Sequence, residues 1–204
     1  MTEKQIERIK LKIARYKKAL AEDKKFWGGY YHDGRGIRYE IPAEYIKLKD
    51  YKSGLRYLRW FDRTFPDDAG WPTFLFELTL ILFKCGKFKE AEEKVNRTFF
   101  SNIYLFDKFL EKEPLHFDKS EGANRDFEMI EKYFPYSKRE PELEDFAIWV
   151  EKLLNEKAFL DKANEFLEIE FKLKTEPFGE ERTQLLNRRA IIVYGYLPTY
   201  DEEE

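Results

Sequence analysis

His32, His116 and Cys85 are the chain's entire stock of histidine and cysteine. The histidines stand far apart with no partner at ligand spacing, so no zinc site is expected. Cys85 ends an apolar run, and its helix predicts burial, whereas a nucleophilic thiol needs exposure and an adjacent base. Asp67 and Asp68 are adjacent acids, but they precede a predicted helix start, where capping explains them more simply than paired acid chemistry. The expectation is therefore a non-catalytic protein with no metal and no cofactor. An enzyme would need a polar cleft joining His32 or Cys85 to carboxylates.

Binding chemistry has more candidates. Lys52, Arg56, Arg59 and Arg63 recur at steps of four, three and four, which sets four cations on one helical stripe beside Tyr57 and Trp60. Such a stripe grips phosphates or an acidic peptide while the rings stack; it also reads as a solvated face paired with acids from neighbouring helices. Residues 28–38 combine glycines with Tyr30, Tyr31, His32, Arg35 and Arg38, so backbone amides and guanidinium groups can converge on an anion. No Gly-Lys-Ser/Thr follows and no strand precedes, which excludes the common nucleotide loops. A glycine-closed turn with inward tyrosines is the other reading of this loop.

The elements that must position these residues are helical. Residues 1–26 carry a seam of Ile6, Ile9, Ile13, Tyr16 and Leu20, expected to pack on its own domain, with dimerisation through the seam as the alternative. Residues 27–40 form a glycine-rich loop. A first helix pair spans 42–66, its short first helix beginning at Pro42 in a first-turn position and its second running over 51–65. A second pair spans 71–102. Its first arm, 72–84, is apolar on almost every side and so must be covered on more than one; its second, 87–100, has one stripe of Phe88, Ala91, Val95 and Phe99, and the two turn at Gly86. Residues 103–141 are an irregular middle with short helices at 103–110 and 124–133. Residues 142–190 hold the C-terminal helices, with the apolar face lapsing at Asn155, Glu156 and Lys157, so that 142–175 is either one bent helix or, as compactness favours, two; the last helix covers 180–190. The β-branched and aromatic segment 191–200 predicts an extended tail before the acidic end.

Composition bounds the partners. Hydrophobic residues are 43% and charged residues 38%, enough apolar surface for a core and enough charge to solvate it, and 204 residues suit a single domain. A net charge of −3 gives no strong overall pull toward nucleic acid or anionic membrane. The longest apolar run, 78–83, falls far short of the ~20 residues of a membrane span, and the N-terminus has no apolar stretch of a signal peptide. One cysteine suits a reducing compartment, so a cytoplasmic location is expected.

Two consecutive helix pairs invite a search for a repeat. Gly86, Lys87, Phe88, Lys89, Glu90 and Ala91 resemble the turn and second-helix start of a tetratricopeptide repeat, with Leu75, Leu78 and Leu82 at its large first-helix positions. An earlier copy has Tyr51, Gly54 in the alanine slot, Leu58, and Pro66 as the closing proline, with Tyr51 and Phe88 37 residues apart. Thr79, Thr98 and Phe61 depart from the pattern, which covers about 65 residues. The resemblance implies an all-α, compact helical-repeat domain (TPR-like, an α-α superhelix) of antiparallel pairs, serving as a protein-interaction scaffold. It also implies that the first helix of each pair lines a concave groove, here Phe76, Leu80, Phe83 and Lys84, open to a peptide or partner helix unless the N-terminal helix or the 191–200 segment covers it. The alternative is an anion or nucleic-acid binding module using the 52–63 stripe with Arg35 and Arg38. No membrane partner is expected, and the chain is read as monomer or homodimer.

Overall fold

A computed structural model describes residues 1–114 and 127–197. Among them the chain is all-α, with ten helices: α1 (Glu3–Phe26), α2 (Ile37–Lys47), α3 (Tyr51–Thr64), α4 (Pro72–Lys84), α5 (Phe88–Ser101), α6 (Leu105–Leu110), α7 (Phe127–Tyr133), α8 (Glu144–Leu154), α9 (Lys157–Thr175) and α10 (Glu180–Tyr194). None of them is long and apolar enough to cross a membrane. His116, the 115–126 part of the irregular middle and the tail from 198 onward lie outside the described residues. The contacts group into two compact units, Met1–Lys94 and Val95–Glu204, and the division falls inside α5.

The first unit is built around α4. Residues 74 to 82 of that helix are buried without interruption, as its all-round hydrophobicity requires, and both α2 and α3 pack on it. Gly54 permits the α3 approach: a Cβ there would come within 2.9 Å of the Ile81 Cδ1. At its far end α4 closes in a Schellman turn. Gly86 sits at φ +72 with its amide on the Phe83 carbonyl, and the Lys87 amide reaches the Leu82 carbonyl at 2.9 Å. On the other side α1 packs on α2, with Ile13 and Leu20 buried and a Thr2–Gln5 capping box fixing its start.

Helix α2 begins five residues earlier than the sequence suggests, so the glycine-rich loop ends at Gly36 and Pro42 lies inside the helix. Two contacts make this work. The Asp33 carboxylate accepts the amides of Ile37 and Arg38, both at 2.9 Å, and so nucleates the first turn. Pro42 has no amide to give the Arg38 carbonyl one turn back; the Tyr57 hydroxyl donates to that oxygen instead, at 2.6 Å.

In the second unit the turn at Asn155 and Glu156 separates α8 from α9, the two-helix solution. Phe100, Ile103, Tyr104 and Phe166 form a buried cluster, and Ile192 and Val193 pack against it. That packing keeps 191–194 helical, where β-branched composition predicts an extended strand; α10 ends only at Gly195, φ +82. Two arginines tie α10 to α9: Arg188 meets Glu165, and Arg189 Nε lies 2.6 Å from Glu170.

Candidate functional site: an aromatic groove between α1 and α3

The loop joining α1 to α2 is pinned by carboxylates. Asp23, near the end of α1, accepts the amides of His32 at 2.8 Å and Asp33 at 3.0 Å. Gly28 and Gly29, at φ +65 and +108, give the chain the reversal that brings these amides back over α1. Tyr31 is thereby held against α3, its ring edge-on to Trp60 at 5.6 Å, with Lys24 Nζ 5.1 Å over its face.

On α3 the steps from Ser53 to Arg56 and Tyr57 and then to Trp60 turn one face toward α1. Lys17, Leu20 and Ala21 answer from α1, and Tyr45 rises from α2. These residues line a groove of about 440 Å³. Its wall is a run of rings: Tyr31 to Trp60 at 5.6 Å, Trp60 to Tyr57 at 5.2 Å, Tyr57 to Tyr45 at 6.5 Å. Tyr45 and Tyr57 are buried at the base, Tyr31 and Trp60 are half-buried, and Lys17 and Arg56 are exposed at the mouth. Burial, chiefly, pushes the Tyr57 phenol far above its ordinary range, so it stays protonated and keeps donating to Arg38. Lys17 Nζ lies 5.5 Å over the Tyr45 ring, while Arg56 rests on Ser53 Oγ at 2.7 Å.

The Lys/Arg stripe is exposed along its length, but only Arg56 joins the groove. Arg59 pairs with Glu90, which follows the solvated-face reading at that position. Arg35 is exposed and lines a different cleft of about 700 Å³ with His32, Tyr39 and Trp71.

Arg38 does not serve as a free anion ligand. It bonds Asp33 at 3.1 Å and Asp68 at 2.8 Å, both carboxylates nearly buried, and stacks 4.3 Å from the Tyr39 ring. Tyr39 donates to Asp68 at 2.8 Å; burial, then that carboxylate, pushes its phenol up to about 12. Asp68 is accordingly an internal counter-ion, bonded also by the Gly70 amide, and α4 starts instead at Trp71 and Pro72.

The concave-face expectation changes most. Phe76 and Leu80 are both 0% exposed, so they are packed interior and offer nothing to a partner. Phe83 and Lys84 are half-buried, with Phe83 edge-on to Phe88 at 5.6 Å. Phe88 is itself 50% exposed, while Ala91 and Val95 of the same stripe are buried. Cys85 is half-buried, and desolvation raises its thiol.

Of the groove's α3 residues, Arg56 was visible in sequence as part of the stripe with Tyr57 and Trp60 beside it, and Ser53 was not; Tyr31 was visible as part of the loop. Lys17 and Tyr45 were missed as site residues, since each sits at the edge of a core seam and has the spacing of ordinary packing. The first unit holds 21 Lys and Arg against 15 Asp and Glu, a net of +6 that the whole-chain balance conceals. Among the described residues no group of three or more His, Cys, Asp or Glu is arranged to hold a metal ion. Compared with family models, with curated proteins and with solved structures, the chain matches none.

Proposed function

We propose that this chain is a non-catalytic protein-interaction scaffold of TPR-like helix pairs, working in the cytoplasm, and that a short partner segment lies in the groove between α1 and α3. The observation that carries this reading is the groove itself: partly exposed rings above a buried base, within the volume range of ligand sites. The repeat character is supported by α4 packing on both helices of the preceding pair, by the small residue Gly54 against Ile81 of α4, and by the glycine turn at Gly86. Rings of this kind act as binding anchors because they bury much area at little conformational cost.

Random-peptide display on the immobilised protein, run in parallel on Ala21→Arg, tests the reading. Ala21 is exposed and helical, so arginine there blocks the groove without disturbing the core. A consensus enriched on the wild type and lost on the blocked variant supports the proposal. No consensus, or one enriched equally on both, contradicts it.

A second reading, an anion or nucleic-acid module, is favoured by the +6 charge of the first unit and by Lys17 and Arg56 beside the rings. Binding of oligothymidylate that weakens steeply with salt and is lost in Arg56→Glu would carry it.

A further inference from the structure

We propose that the occupant of the α1–α3 groove is an acidic peptide segment carrying an aromatic side chain, its ring against Tyr31 and Trp60 and its carboxylate between Lys17 and Arg56. The inference rests on the scaffold reading and adds the chemistry of the partner.

Charge selects the sign of the ligand. An aromatic enclosure would ordinarily suit a cationic guest. Here, however, Lys17 Nζ already lies 5.5 Å over Tyr45 and Lys24 Nζ 5.1 Å over Tyr31, so two of the rings already carry a cation and a further one would meet like charge. A purely apolar guest would cover two exposed cations at the mouth without pairing them, which costs desolvation. An acidic group next to the ring satisfies both, and the +6 charge of the unit draws it in.

Shape selects a peptide over a nucleic-acid strand. The ring wall and its two cations form one pocket of about 440 Å³, room for one large side chain and its neighbours. A strand would need cations continuing along its backbone. Two of those the sequence offers are engaged within the protein: Arg59 by Glu90, and Arg38 by Asp33 and Asp68.

The test is fluorescence anisotropy with a labelled peptide of a central tryptophan flanked by aspartate and glutamate. It is compared with the same peptide carrying alanine for tryptophan, the same carrying lysine for the acids, and oligothymidylate. Lys17→Glu and Arg56→Glu, both at exposed positions, are checked for unchanged circular dichroism. The expected result is binding by the acidic tryptophan peptide, weakened roughly tenfold or more by either peptide change or either protein variant. Equal binding of the lysine peptide, indifference to both variants, or tighter binding of oligothymidylate overturns the proposal. A display consensus confined to the groove but lacking acid or ring overturns this inference and leaves the scaffold reading standing; absence of any consensus removes both.

Discussion

Pro42 and Tyr57 show how one residue's deficit becomes another's role. The proline deprives the Arg38 carbonyl of its helical donor, and the buried Tyr57 hydroxyl replaces it at 2.6 Å while its ring serves the base of the groove. Tyr57→Phe should leave that carbonyl without a donor and cost about 1–3 kcal/mol, read as a lower urea midpoint. Tyr30→Phe, at a ring 80% exposed, should change it by no more than ~0.5 kcal/mol. Glu44 supplies a second test at this scale. Burial alone would raise its carboxyl, but bonds from Lys12 at 2.8 Å and Lys47 at 2.9 Å outweigh that and hold it below the usual range. A depressed folded value means the contribution is full above the unfolded carboxyl pKa of about 4.3 and is lost as pH falls through the folded value. Acid should therefore destabilise the wild type more steeply than Glu44→Gln, in urea melts taken between about pH 5 and pH 3. Equal slopes would show that these two bonds contribute nothing there.

At the scale of elements, helix contact depends on the absence of a side chain. Gly54 of α3 has its α-carbon facing the fully buried Ile81. Alanine elsewhere in a helix would gain about 1 kcal/mol over glycine. At position 54 that gain should be cancelled by displacement of Ile81, and Gly54→Val should cost about 1–3 kcal/mol, measured by thermal melting. What was legible in sequence follows the same division. The apolar run of α4, the seam of α1 and the break before α9 are local patterns, and each spans its expected residues within a few positions. The early start of α2 depends on Asp33 reaching forward from the loop and on Tyr57 reaching across from α3, contacts that no periodicity encodes. Helix α10 runs on through Ile192 and Val193 because a core already receives them, which outweighs their preference for strands. At the groove, the α3 face was readable as Arg56, Tyr57 and Trp60. The partners Lys17 and Tyr45 became recognisable only once α1 and α2 stood beside it, while Phe76 and Leu80, two of the four residues chosen by analogy, proved to be interior.

At the scale of the molecule, charge is divided unequally along the chain. A net of −3 conceals +6 in Met1–Lys94, the unit that holds the aromatic groove. If this groove is where the protein meets its partner, amide chemical-shift mapping will place the contact there. On titration with the acidic tryptophan peptide, the predicted shifts cluster at Lys17, Leu20, Tyr31, Arg56 and Trp60. The Gly86 turn, which does not line the groove, should shift less. Shifts centred on the Arg35 cleft or on the α4–α5 turn would place binding outside the groove, and none at all at millimolar peptide would show that the groove does not bind this segment.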